Sequence, residues 1–306
     1  MGRVLVIGSD NPVTHTLVGL LSTTGIPIEF APGPVVALQR MRQQSIAIAI
    51  TSPGTSIEED LALLDEMRRI RPGIKCIVLA PRSTPEEIIA ALRARVFACF
   101  TAPFDANAIA TIARDAASSG LAEDDIHIVS ARPGWVTVRA NCRLLTAERL
   151  FSFAREFSAQ MHEEMRDEIM VSFREIVLNA MEHGAAFNPD QMIEVTSIRT
   201  TRAFVFYVRD PGSGFRPEPR GTDRIASPAE GLISNLAEDP AAKPIDEFIA
   251  HLRRREEEGL PPGGFGLLLA KGAVDELLYN EIGNEVLLIK YIDRTAPTMQ
   301  DDPLVH

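Results

Sequence analysis

Three stretches in the second half of the sequence hold side chains whose types and spacing could act together on a phosphate-bearing ligand. The first is EEMRDEIMVSFREIVLNAMEH, residues 163–183. Met165, Ile169, Phe173, Ile176, Val177 and Ala180 fall on one stripe at helical spacing. Glu175, Asn179 and Glu182 cluster on the opposite side, with His183 at the edge. Glu175 and Asn179 are one turn apart, so a carboxylate and a carboxamide are neighbours on that face. The second stretch, AFVFYVRDPGSGF over 203–215, begins as a strand and ends in a glycine-rich turn. The Asp210 carboxylate can accept a hydrogen bond from an exocyclic amine. Gly212 and Gly214 carry no Cβ, so the backbone can approach a ligand closely. The third, PPGGFGLLLAKGAVDEL over 261–277, sets Gly263, Gly264 and Gly266 before the apolar helical run Leu267, Leu268, Leu269, Ala270 and Val274. Free amides at a helix start, with the helix dipole behind them, form an anion site suited to phosphates. Taken singly, each stretch also reads as something plainer: a solvated helix face, a hairpin turn, a loop-to-helix junction.

These residues need elements to hold them. WVTVR (135–139) alternates like a strand, and NEVLLIKYI (284–292) reads as another. Between 145 and 161, Leu145, Leu150, Phe151, Phe153, Ala154 and Phe157 recur at near-helical spacing, with Thr146 as the expected N-cap.

In their order along the chain, ExxxNAxxHG, then DxGxGF, then GGxGL before a helix, the three stretches form a specific set. Over about residues 128–293 the sequence resembles the GHKL (Bergerat-fold) ATP-binding domain. It is most similar to the anti-sigma-factor serine kinases, whose first box reads as Glu175–Gly184 does here. That resemblance implies an α+β ATP-binding sandwich with ATP and Mg²⁺ as its ligands. It implies that Asn179 holds a Mg²⁺ bridging the triphosphate and that Glu175 is the general base taking the proton from an attacking serine. Asp210 would bind the adenine amino group, with Gly212 and Gly214 bordering the base and Gly264 and Gly266 giving amides to the phosphates. His183, Phe215, Gly263 and Leu267 complete the matched nucleotide-binding positions, and Glu182 also matches a box position. Phosphoryl transfer mostly needs positioning and charge neutralisation, which this set would supply.

The sequence departs from those kinases between the second and third boxes, where about 48 residues separate Phe215 from Gly263. This long lid, 216–262, carries an amphipathic stripe of Ile245, Phe248, Ile249 and Leu252, and a loop that long with its own helix is usually functional. Arg253, Arg254 and Arg255 either reach a γ-phosphate or an acidic partner, or form a solvated face beside Glu256–Glu258.

The first half alternates between short apolar runs at 3–7, 26–30, 46–50, 75–79 and 97–101 and segments with helical spacing, such as 57–70 and 84–95. Strands apolar on both faces imply a parallel sheet covered by helices. Residues 3–117 resemble the receiver domain of two-component response regulators, including the Phe100–Asp105 loop. The resemblance implies a (βα)5 doubly wound parallel sheet, but not the receiver chemistry. The acidic pair aligns with Gly8 and Ser9 (Asp10 follows), the acceptor with Thr51 or Ser52, the hydroxyl with Ala80 and the lysine with Ala102. A phosphoryl group needs a carboxylate nucleophile and cations. The expectation is a non-phosphorylatable domain used for docking, regulation or dimerisation.

Length and composition agree with this division. At 306 residues the chain is about two domains long. With 45% hydrophobic and 24% charged residues it is globular in composition, and the strand–helix alternation makes it an α/β protein. A net charge of −11 argues against binding nucleic acid or anionic membranes through bulk electrostatics. Cys76, Cys99 and Cys142 are scattered and read as reduced core residues of a cytoplasmic protein. The expected domains are 1–117 and 128–293, with a polar linker at 118–127 and a loose tail at 294–306.

The leading functional expectation is an ATP-dependent serine kinase of the anti-sigma type, acting on a STAS-domain anti-anti-sigma protein, with a sigma factor as a further candidate partner and a homodimer as a candidate assembly. The alternative is a non-catalytic module in which ATP sets the lid and the chain sequesters its partner. A histidine autokinase is disfavoured, because that class needs an upstream helical hairpin with a phosphoacceptor histidine, and His127 sits beside a strand rather than on a helix.

Overall fold

The structure, a computed structural model, describes residues 2–8, 11–23, 25–118, 125–214 and 273–292. In the first half β1 (Arg3–Ile7), β2 (Ile28–Ala31), β3 (Ile46–Ile50), β4 (Lys75–Ala80) and β5 (Ala98–Thr101) are all parallel, in the order β2-β1-β3-β4-β5. This is a doubly wound order with helices on both faces. The helices are α1 (Pro12–Ser22), α2 (Pro34–Gln43), α3 (Ile57–Ile70), α4 (Pro85–Arg93) and α5 (Ala106–Ser118). Their starts are written locally: α1, α2 and α4 begin with proline, where the missing N–H costs nothing. α3 and α4 carry capping boxes, Ser56 with Glu59 and Thr84 with Glu87. Leu17, Leu21, Ile109 and Ala113 of α1 and α5 cover one side of the sheet. Met41, Leu64, Met67 and Ile88 of α2, α3 and α4 cover the other.

Small side chains meet just past the ends of β1 and β3. Gly8 has φ +132°, and a Cβ there would overlap the Ser52 side chain. Thr51 Oγ1 donates to Asp60 Oδ2 at 2.7 Å and accepts the Leu79 amide at 3.1 Å, while Thr55 Oγ1 donates to Asp60 Oδ1 at 2.7 Å. Ser9 and Asp10 lie outside the described residues.

The second half is an antiparallel sheet, β10-β11-β9-β8-β7-β6, built from β6 (Ile126–Arg132), β7 (Trp135–Asn141), β8 (Met192–Arg199), β9 (Ala203–Arg209), β10 (Glu276–Tyr279) and β11 (Glu285–Tyr291). The helices α6 (Leu144–Phe157) and α7 (Glu163–Asn179) pack on it through Phe157 and Phe173 against Phe204 and Phe206. The expected strands at 135–139, 203–209 and 284–292 are present, and β6, β8 and β10 add to them. β6 starts inside the expected linker and contains His127; residues 119–124 lie outside the described set. Glu276 and Leu277, the last residues of the third stretch, belong to β10, paired with Ile289 and Leu288. Thr146 is not an N-cap: α6 starts at Leu144, and the buried Thr146 hydroxyl donates to Asp125 Oδ2 at 3.0 Å. The lid 216–262, with Arg253, Arg254 and Arg255, and the tail 294–306 lie outside the described residues.

The two halves share an interface. Helix α6 lies against α4, β5 and α5, and one apolar cluster runs through both sheets. Cys76, Cys99 and Cys142 are buried. Among the described residues, no helix is long and apolar enough to cross a membrane.

Candidate functional site

The apolar stripe of α7 is buried, with Ile169, Phe173, Ile176 and Val177 each at most 2% exposed. This fixes the rotation of the helix and leaves Glu175 and Asn179 half-buried on the other side. After Asn179 the helix widens into one π turn, Ala180–Gly184, a feature frequent at functional sites. The chain then reverses through Ala186 and Phe187, whose φ values are 50° and 49°.

Asn179, His183 and Gly184 form one side of a cavity of about 490 Å³. That volume lies within the roughly 300–1,000 Å³ of small-molecule sites. Asp210, Ser213 and Gly214, just past β9, form a second side. Tyr279, Gly283 and Val286 of the β10–β11 hairpin form the third, with Ile176 and Val208 adding apolar surface. Burial pushes the Tyr279 phenol up to about 12, so it stays neutral at physiological pH.

Asp210 is held from both sides. Its amide donates to the Asn284 carbonyl at 3.0 Å, and its Oδ1 accepts the Gly212 amide at 2.8 Å. Asn284 Nδ2 donates to the Gly212 carbonyl at 3.3 Å. Asn280 anchors the hairpin beneath: its Oδ1 accepts the Gly283, Asn284 and Glu285 amides at 2.7, 3.1 and 3.2 Å. Burial raises the Asp210 carboxyl above its ordinary range, and the Gly212 amide opposes that shift. The glycines are needed for close approach. A Cβ at Gly184 would overlap the Asp210 side chain, and one at Gly214, where φ is +78°, would overlap the Ile282 backbone.

Of the residues selected from the sequence, Asn179, His183, Asp210 and Gly214 meet at this cavity, and Gly212 braces Asp210. Glu175 is one turn back on α7 and is not among the described residues lining the cavity. Phe215, Gly263, Gly264, Gly266 and Leu267 lie outside the described residues. Gly184, which closes the first box, Ser213, Tyr279, Asn280 and Asn284 also serve the site and are not among the candidates named from the sequence. The NEIGN pattern at 280–284 is a turn signature that could have marked the last two.

Beneath the site, the buried Lys290 ties β11 to α7. Its Nζ pairs with Glu168 Oε2 at 2.6 Å, donates to the Ala273 carbonyl at 3.0 Å and lies 3.9 Å from Asp275 Oδ1.

Solved structures similar to the first half include a response regulator receiver domain protein from Methanospirillum hungatei (19% identity, 38% of this chain and 92% of that one, TM-score 0.34). A response regulator from Thermotoga maritima has 20% identity over 39% of this chain and 100% of that one, TM-score 0.34. The signal receiver domain of an HD domain-containing protein from Pseudomonas fluorescens has 20% identity over 38% and 93%, TM-score 0.34. No curated protein matches the chain. The family model of the histidine kinase-like ATPase domain matches residues 138–290, which span α6, α7 and the walls of the cavity. The chain therefore belongs to the histidine kinase-like ATPase family.

Proposed function

We propose that the chain is an ATP-dependent protein serine kinase of the anti-sigma type, acting on a STAS-domain anti-anti-sigma partner. The reading rests on the half-buried Asp210 carboxylate, braced by Gly212 on the wall of a cavity that also receives Asn179. Apolar walls with a few oriented polar groups suit a purine, and the Asp210 carboxylate would accept from its exocyclic amine. Mg²⁺ at nucleotide sites takes one or two protein oxygens and completes its shell with water and phosphate, so the Asn179 carboxamide fits that role. When bound, the ion neutralises charge on the triphosphate. Among the described residues no cluster of three acidic, His or Cys side chains offers a different metal site.

In this reading Glu175 accepts the proton of a partner serine. The serine Oγ forms a bond to Pγ as the bond from Pγ to the β,γ-bridging oxygen breaks, and ADP leaves with that electron pair. Gly264 and Gly266 would give amides to the phosphates, and His183 would border them. The placement of Glu175 away from the cavity lining favours the second reading, a module that binds ATP and sequesters a partner, such as a sigma factor, without transfer. Labelled ATP, Mg²⁺ and STAS-domain proteins separate the two. Label on a partner serine that vanishes in Glu175→Ala, with ATP still bound, supports the kinase. ATP binding without transfer supports the module.

A further inference from the structure

Glu156 belongs to α6 but makes its hydrogen bonds in the receiver-like half. It is 5% exposed; its Oε1 accepts the Thr101 amide at 2.8 Å, and its Oε2 accepts the Thr101 hydroxyl at 2.6 Å and the Ser83 hydroxyl at 3.4 Å. Two turns earlier on the same face Arg149, 2% exposed, donates Nε to the Phe97 carbonyl at 2.8 Å and stacks 4.2 Å from the Phe97 ring. Burying such groups is costly in desolvation, so each needs the partner it finds along β5. The opposite side of α6 is aromatic. Phe157 meets Phe204 edge-on at 6.0 Å, Phe204 meets Phe206 at 5.1 Å, and Phe206 stacks at 4.0 Å on Phe173. Phe151 also meets Phe173, at 6.0 Å. Phe173 lies half a turn before Glu175 on α7, the helix that ends at Asn179. Close-packed contacts of this kind transmit displacement rather than absorb it.

We propose that Glu156 is a positioning residue for the nucleotide site, a latch that fixes α6 on Thr101 and through the phenylalanine layer sets α7, so that the receiver-like domain and the ATP site are energetically coupled. The proposal rests on the ATP reading of the cavity.

The full chain is compared with Glu156→Ala, Glu156→Gln and Thr101→Val by hydrogen exchange at the Thr101 amide and by calorimetric titration with ATP. Glu156→Ala is expected to speed Thr101 exchange at least tenfold and to weaken ATP binding about fivefold or more, the lower range of allosteric coupling. Glu156→Gln keeps an acceptor for the Thr101 amide and is expected to stay within about twofold of wild type in both. By reciprocity, ATP should slow Thr101 exchange in the wild-type chain. Should Glu156→Ala fail to fold, Thr101→Val, which removes the hydroxyl from the other side, must move both readouts in the same direction. Unchanged Thr101 exchange overturns the latch, and faster exchange with unchanged ATP affinity overturns the coupling. A wild-type chain that binds no ATP refutes the cavity reading and the coupling with it.

Discussion

The Gly212 amide donates to Asp210 Oδ1 at 2.8 Å, and a Cβ on Gly212 would fall 2.7 Å from that same oxygen and 2.9 Å from the Gly184 Cα. The Asp210 carboxylate is thus aimed by a contact that tolerates no side chain. Gly212→Ala is expected to displace it and weaken ATP binding about tenfold, with the far-ultraviolet circular dichroism unchanged. Overpacking of this size costs about 1–3 kcal/mol. Wild-type affinity in Gly212→Ala would show that the carboxylate needs no such aim.

Asp60 gives the receiver-like half a pH dependence. It is 2% exposed, and burial lifts its carboxyl from 3.8 to about 6 despite the Thr51 and Thr55 hydroxyls. The folded state therefore holds the proton to higher pH than the unfolded state. The contribution favours folding fully below pH 3.8 and is lost as pH rises through about 6, by about 3 kcal/mol. Denaturant titrations of wild type and Asp60→Asn between pH 4 and 7 check this. The wild-type chain is expected to lose stability relative to the variant as pH rises, and parallel profiles would contradict it.

Lys290 and Glu168 are unequal partners. The Lys290 side chain is 5% exposed and that of Glu168 is 39% exposed. Glu168→Ala leaves a buried ammonium with the Ala273 carbonyl and a distant Asp275 carboxylate, a loss of about 3 kcal/mol. Lys290→Met leaves two carboxylates that reach solvent and is expected to cost about 1 kcal/mol. Urea midpoints in the reverse order would show that the pair is not what holds β11 to α7.

The parts of the fold legible in the sequence were those with a strong local signal. The strands of the parallel sheet are apolar on both faces, and α3 and α4 lie where the helical spacing at 57–70 and 84–95 puts them. The stripe from Ile169 to Ala180 gave the rotation of α7, hence the side on which Asn179 sits. β6 and β8 carry no clean signal: the IHIVSAR run of β6 is largely exposed, and in MIEVTSIR buried Thr196 and Ser197 break the apolar alternation. The Thr146 hydroxyl serves Asp125 rather than a helix start, and the two roles look alike without the chain fold. Gly184, Asn280 and Asn284 act on Asp210 from distant parts of the chain, a relationship that spacing along one segment does not encode. The docking of α6 on β5 was hidden for the same reason: Glu156 and Arg149 look like the polar residues of an ordinary amphipathic helix.

The central claim is that Asp210 reads a purine amine in the cavity shared with Asn179. Titration of the full chain with ATP and with inosine triphosphate, which carries an oxo group in place of the amine, tests it most directly. The account expects saturable binding of ATP at least tenfold tighter than of inosine triphosphate, with that preference abolished in Asp210→Ala, because a site built around a hydrogen bond rejects a ligand that lacks the donor. Equal affinity for the two nucleotides in the wild-type chain, or a preference for ATP that survives in Asp210→Ala, would contradict it.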